Sequence, residues 1–299
     1  MSANVINLKE KPVVIEVAIS AVVANTGGKE PTTENIVNDA KACIAAGAGI
    51  IHCHHDFALS RADSIAQCIA INKGILQEHP KTLIYPGFLP GSTFDERMGH
   101  LEPMYEAGVL TMFAFDPGLS LHGRADEQGL MTRSVSNGAT FEEATTMVER
   151  GHRYGAPSSL GIFEPGALRW VRSFGAASKF VPGTVVKLYF PGNNAWGASG
   201  APSTFGLPPS KAALEMYLSL LEGSGVPWVV SILGGSILDT DLPRYILERG
   251  GHLRVGIEDP LKKVDLTSVE MIQAVIDLAN QVGRPVARTT DALAVLSAV

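Results

Sequence analysis

The sequence predicts a (β/α)8 barrel forming one domain over residues 1–299, and three observations carry that reading. Eight short β-branched, apolar runs alternate with longer amphipathic stretches. Several of those stretches open on a capping signal and close on glycine. No glycine-rich phosphate turn follows the first run, as a doubly wound open sheet would require. The runs lie at 13–19, 49–54, 82–87, 110–115, 159–163, 184–190, 228–233 and 253–257. Helical patterns occupy 33–46, 63–78, 94–107, 141–154, 210–222 and 239–249. Eight strands, seven intervening helical or loop segments and a final helix at 267–282 complete the count.

Each boundary has a local reason. Pro31-Thr32-Thr33-Glu34 opens the first helix, and Thr140 ahead of Phe141-Glu142-Glu143 opens another, since a threonine side chain satisfies an orphan helix N–H. Ala46-Gly47-Ala48 ends a helix just before an apolar strand, and Gly108 and Gly250-Gly251 repeat that arrangement. The stretch 20–26 holds no GxGxxG. Two longer connections, 116–139 and 191–209, are rich in Gly, Ser, Pro and Asn. Each follows a predicted strand, so in a barrel they lie over the C-terminal mouth and shape a substrate pocket. No internal repeat and no inter-domain linker is visible.

Composition excludes several function classes. Apolar residues make up 45% of the 299, enough for a large core. The net charge of −6 and the single Lys/Arg doublet, Lys262-Lys263, argue against nucleic acid or an anionic membrane as partner. No run of apolar residues is long enough to span a bilayer, and 1–12 is polar and charged, without a secretory h-region. Three cysteines, Cys43, Cys53 and Cys68, with no CxxC spacing fit free thiols in a reducing cytoplasm.

Alternation along a strand sends every second side chain to one face. In Ile50-Ile51-His52-Cys53-His54 the two histidines therefore share a face, and with Ile51 packed outward both imidazoles enter the barrel mouth. In Leu253-Arg254-Val255-Gly256-Ile257-Glu258 the same rule groups Arg254, Gly256 and Glu258, with Gly256 expected to leave space beneath what sits above it. Only the first strand separates the second from the eighth in a closed barrel. His52, His54 and Glu258 are then the expected ligands of one divalent metal, zinc or another transition ion, with an open coordination position. A pair of hydrogen-bonded core histidines and a solvated loop glutamate is the blander reading of the same residues.

Glu16 shares the inward face of the first strand with Val14, Ala18 and Ser20. A charge there needs a partner, and Lys187 and Arg254 are the candidates, read first as a structural ion pair. Asp259 follows Glu258 and is positioned either as a general base or as a turn cap. His55 faces the other way, and His79, His100, His122 and His152 read as surface residues.

At these residues the sequence resembles the β-keto acid cleavage enzyme family, whose founding activity is 3-keto-5-aminohexanoate cleavage. The resemblance runs from Val17-Ala18-Ile19-Ser20 through His52-Cys53-His54 to Gly251-His252-Leu253-Arg254-Val255-Gly256-Ile257-Glu258-Asp259, and the last block is the most specific. Phe163 and Gly166 are fainter echoes of the fifth-strand motif. The resemblance implies a TIM barrel with zinc on His52, His54 and Glu258. It implies Asp259 as the catalytic base and Arg254 as the catalytic cation that orients the acid. It also implies acetyl-CoA as co-substrate in a Claisen and retro-Claisen transfer that yields acetoacetate and a new acyl-CoA, in a cytoplasmic homo-oligomer. No residue is assigned to the CoA site. Departures from the family pattern fall at His55-Asp56, at Tyr85-Pro86-Gly87-Phe88 on strand three, and at Ser159 and Gly161 on strand five, with Glu164 nearby. The lost fifth-strand acids speak against an amino-substituted substrate. Two other classes compete: an amidohydrolase-like zinc hydrolase, and a metal-containing barrel that binds a ligand without catalysis.

Overall fold

The computed structural model describes residues 10–20, 30–194 and 202–298. The expectation of a leaderless terminus at 1–12 falls mostly outside these residues, as does part of the 191–209 connection. Eight parallel strands form one sheet: β1 (Ile15–Ala18), β2 (Ile50–Cys53), β3 (Leu83–Pro86), β4 (Phe113–Phe115), β7 (Ser158–Ile162), β8 (Val185–Pro191), β9 (Trp228–Leu233) and β10 (His252–Val255). Their order, β3-β2-β1-β10-β9-β8-β7-β4, is that of an eight-stranded barrel with its seam between β3 and β4. A side chain bridges the seam: Ile84 N donates to Thr111 Oγ1 at 3.0 Å. Helices α1 (Thr33–Ala46), α2 (Arg61–Leu76), α5 (Phe141–Tyr154), α6 (Leu168–Ala176), α7 (Lys211–Leu221) and α8 (Leu242–Glu248) run between the strands, and α9 (Ser268–Gln281) follows the last of them. The chain is a (β/α)8 barrel.

The two predicted start signals operate: Thr32 caps α1 through Asn35 N, and Thr140 closes a capping box with Glu143. Thr93 and Thr267, not singled out in the sequence, each close the same box with the glutamate three residues on. Gly47 ends α1 in the left-handed region at φ 116°, followed directly by β2. The expected helix at 94–107 is instead two pieces, α3 (Phe94–Arg97) and α4 (Leu101–Glu106). Three elements escaped the sequence pattern. One is α6. The second is an antiparallel hairpin, β5 (Ser120–Ala125) with β6 (Met131–Asn137), inside the connection read as loop. The third is α10 (Ala292–Ser297). Almost all of β6 is exposed, so no buried stripe marks it as a strand.

Two apolar layers hold the barrel. The larger lies between sheet and helices, where Ile51, Val17, Leu253 and Val255 meet Ile36, Ile71, Met271 and Val275. The smaller fills the barrel's lower interior: Val14, Ile50, Leu83, Met112, Val185 and Val229, with Ala292 and Leu296 of α10 closing the end. Above that plug the interior turns polar with Glu16, Tyr85, Lys187 and Arg254, all buried. No helix among the described residues is long and apolar enough to cross a membrane.

Candidate active site

The register places Ala18 beside His52 and Glu16 beside Arg254, so β1 sits between the two sequence segments of interest. His52 Nε2 and His54 Nε2 are 3.1 Å apart. Glu258 Oε1 lies 3.1 Å from the first and 3.5 Å from the second. The structure thus brings together the three side chains that strand alternation singled out. The route for Glu258 differs from the expected one. The ladder of β10 ends at Val255, and Gly256 turns the chain with φ +137°. A Cβ there would stand 2.1 Å from the Ala18 carbonyl oxygen. Gly256 is therefore required by the close approach of β1, not to leave room for something above it.

The donor set fits a cation. The His52 Nδ1 lies 3.2 Å from the Tyr85 carbonyl, which only accepts, so Nδ1 carries the proton and Nε2 presents a lone pair. Burial lowers the His52 pKa to about 4, which keeps the ring neutral. Two imidazole nitrogens and a carboxylate oxygen then crowd one point, with the second carboxylate oxygen, Glu258 Oε2, buried without a partner among the described residues. Lone pairs at such distances repel unless a positive ion sits among them. Burial acts against the ionised form of Glu258, but the carboxyl is held well below the usual range, with the permanent charge of the Arg254 guanidinium, 2.8 Å away, favouring the carboxylate. Gly87 completes the cradle: a Cβ there would meet the His54 ring at 2.0 Å.

Below this cluster runs a buried ionic network. Arg254 Nη1 donates to Glu16 Oε1 at 3.1 Å and to the Tyr85 hydroxyl at 3.1 Å. Lys187 Nζ reaches the same Glu16 oxygen at 3.0 Å and also donates to the Tyr85 hydroxyl. Tyr85 in turn donates to Glu16. Glu16 thus takes both proposed partners. Burial alone would raise its pKa, yet Lys187 and Arg254 hold it at about 2. Asp259 accepts from Arg254 Nε at 2.9 Å and Nη2 at 2.7 Å, and from the Ser231 hydroxyl at 2.6 Å. The Asp259 carboxyl is buried and its pKa raised by that burial. A cavity of about 320 Å³ opens over the cluster, lined by His52, His54, Lys187, Arg254 and Glu258 but not by Asp259.

The family model for beta-keto acid cleavage enzyme (BKACE) matches residues 12–297. The chain belongs to the BKACE family. Among solved structures, apo ObcA superposes with a TM-score of 0.64 at 14% identity, covering 89% of this chain and 64% of its own. ObcA with a C4-CoA adduct and oxalate gives 0.63 at 13%, and ObcA with oxaloacetate 0.61 at 14%, each covering 89% of this chain and 66% of ObcA. The chain therefore spans about two-thirds of ObcA's length, and at these identities the likeness is one of fold. No curated protein matches the chain.

Within this BKACE barrel several sequence-based assignments change. His100 is fully buried, with burial lowering its pKa to about 3, and His122 of the hairpin lines the cavity, so neither is a surface residue. His152 is exposed, against the Lys179 carbonyl. His55 is buried and stays out of the three-residue cluster. Tyr85, noted only as a departure on strand three, stacks on His52 with ring centroids 4.5 Å apart, orients its Nδ1 and bonds the ionic network. The fifth-strand acids are absent, as the sequence shows, but an acid from the neighbouring strand lines the cavity there. Gly161 leaves its place on β7 open, and Asp116 from the end of β4 fills it: a Cβ on Gly161 would stand 2.2 Å from Asp116 Oδ1. The signal was available, since alternation along Phe113-Ala114-Phe115-Asp116 puts Ala114 and Asp116 inward.

Proposed function

We propose that this BKACE protein is a metal-dependent transferase that condenses a β-keto acid with acetyl-CoA and cleaves the product to acetoacetate and a new acyl-CoA. The observation that supports it most is the convergence of His52, His54 and Glu258 beside a buried Arg254 at the floor of one cavity. The family and the keto-acid and CoA-adduct complexes of the ObcA fold point to the same chemistry. A divalent transition ion on those three residues, zinc first among them, would supply Lewis acidity to a carbonyl oxygen.

The chain's own residues supply the rest. Arg254, a permanent cation lining the cavity, orients the keto acid's carboxylate through its charge and opposes the negative charge that develops beside it. Its N–H groups are already engaged by Glu16, Tyr85, Glu258 and Asp259. Its own orientation is set by Glu16, Glu258 and Asp259. Asp259, made more basic by burial, is the base in this reading. It stands behind Arg254 rather than on the cavity wall, so it must turn from Arg254 and Ser231 towards the substrate to take the proton from the carbon between the two carbonyl groups. That carbon then bonds to the acetyl carbonyl carbon and the CoA thiolate leaves. The thiolate adds to the original keto carbon, and the bond between that carbon and its neighbour breaks. The new acyl-CoA departs, and acetoacetate recovers a proton.

The test is product analysis with a panel of β-keto acids and acetyl-CoA. Acetoacetate and acyl-CoA should form in equal amounts, and Asp259→Asn should bind metal but lose at least about 10²-fold in kcat. Free CoA without acetoacetate would identify a hydrolase, and no turnover with any keto acid a non-catalytic barrel. Three buried, free cysteines support a reducing cytoplasmic setting. Exposed Leu119, Leu121 and Leu130 at the hairpin support a homo-oligomer, to be read by light scattering.

A further inference from the structure

The cavity face of the hairpin ends in a pair of cations that the chemistry above leaves unused. Cross-strand register pairs Ser120 with Asn137, His122 with Val135 and Arg124 with Arg133, so these three steps share one face of the ribbon. That face is turned into the cavity, which His122, Arg124, Val135 and Asn137 all line. Asn137 ties its inner end to the barrel by donating to Asp116 Oδ2 at 3.1 Å. Burial lowers the His122 pKa, so the middle step adds no charge. The outer step sets two permanent cations side by side, an arrangement that by itself weakens a strand pair. Neither guanidinium forms an ion pair or hydrogen bond among the described residues, and those residues include every Asp and Glu of the chain. An anion from outside the chain is what the pair lacks.

The size and lining of the cavity narrow what that anion is. At about 320 Å³ the cavity has room for a keto acid and the acyl end of a thioester, not for a nucleotide as well. A thioester carbon placed at the floor, over His52 and Glu258, therefore sends the rest of acetyl-CoA out through the mouth and past the hairpin. Phe57, Phe88, Phe163 and Val135 on the same walls are apolar and suit the uncharged pantetheine arm. Phosphates come next along that molecule, and guanidinium forks bind phosphate oxygens in pairs. The keto acid's own carboxylate is oriented from the floor by Arg254, so it leaves the hairpin arginines free.

We propose that Arg124 and Arg133 form a phosphate clamp at the cavity rim, gripping the phosphate groups of acetyl-CoA while its acetyl group lies over His52, His54 and Glu258. The proposal rests on the reading of acetyl-CoA as co-substrate, and it locates the charged end of that molecule. The hairpin is held in place for the task. Gly123 N donates to Thr204 Oγ1 at 2.6 Å, and that hydroxyl donates to the Leu121 carbonyl at 3.2 Å. The two arginines lie nine residues apart in the chain, so only the hairpin register brings them together.

The experiment compares acetyl-CoA with S-acetylpantetheine, which keeps the thioester and loses every phosphate. Wild type should favour acetyl-CoA in kcat/KM by at least roughly 100-fold, from two charge-assisted contacts of roughly 10-fold or more each. Arg124→Gln should cut that preference by roughly 10- to 100-fold. Arg133→Gln, at an exposed position, should do the same and serves if the first variant fails to fold. The double variant Lys81→Ser, Lys179→Ser removes two exposed charges from the opposite end of the barrel, ahead of β3 and β8, and should keep the preference. S-acetyl-dephospho-CoA separates the two phosphate sources: a preference kept with it assigns the clamp to the pyrophosphate, and one lost assigns it to the ribose phosphate. Equal use of acetyl-CoA and S-acetylpantetheine by wild type overturns the proposal. So does a preference unchanged in both arginine variants, or one lost equally in the lysine control, which the overall field of the protein would produce. If neither thioester turns over with any keto acid, the cleavage reading falls by itself. Calorimetric titration with CoA and pantetheine then decides the clamp: tighter CoA binding that the arginine variants lose supports it, and equal or absent binding overturns it.

Discussion

Replacing Glu16 by glutamine removes one negative charge from the barrel interior and leaves Lys187 without a carboxylate. The Lys187 ammonium lies 3.0 Å from Glu16 Oε1 with its side chain 3% exposed, so water cannot take over the vacated role. Arg254 loses only one of several partners, because Glu258 and Asp259 remain within 2.8 Å of its Nη2. The loss therefore centres on the lysine. Breaking a buried ion pair from one side costs roughly 3–5 kcal/mol, a large share of a typical folding free energy. At roughly 2–4 °C per kcal/mol, the unfolding midpoint should fall by about 10 °C. Urea and thermal unfolding of Glu16→Gln, both with chelator present to remove any metal contribution, read this directly. The double variant Glu16→Gln, Lys187→Met removes both charges and should recover at least about half of the loss, since an unpaired charge rather than a missing contact is responsible. A single variant within about 1 kcal/mol of wild type, or a double variant worse than the single, would falsify the account of a network held by charge balance.

Three further outcomes follow from the same geometry. His52→Ala should lose bound metal by elemental analysis and lower activity by at least about 10³-fold, and the wild-type thermal midpoint should drop on chelation while that of the variant does not move. Gly256→Ala combines a left-handed backbone, φ +137°, with a Cβ 2.1 Å from the Ala18 oxygen, so it should lose at least about 3 kcal/mol or fail to express in folded form. The Glu16 carboxyl, ordinarily near 4.5, is held at about 2, so it contributes stability that is fully present above pH 4.5 and disappears as pH falls towards 2. The difference in unfolding free energy between wild type and Glu16→Gln should therefore shrink by on the order of 3 kcal/mol across that window, and a flat difference would refute the assigned cause.

Periodicity and punctuation in the chain were enough for the barrel itself. Short β-branched, apolar runs define the eight strands, and threonine caps and terminal glycines such as Thr140 and Gly47 bound the helices. Alternation also singled out His52, His54, Glu16 and Arg254, because strand geometry transmits sequence spacing directly into facing. The hairpin and α10 were not legible. The apolar side of α10 is buried only against the floor of the barrel, and β6 is almost wholly exposed and carries no buried stripe of its own. Glu258 reached the site by a turn at Gly256 that alternation does not describe. The network through Tyr85, the placement of Asp116 over Gly161 and the full engagement of Asp259 by Arg254 and Ser231 depend on which strands become neighbours. Local sequence fixes the direction of a side chain relative to its own strand. Only closure of the sheet brings strands 100 or more residues apart within hydrogen-bonding distance, and the charge pairings follow from that closure.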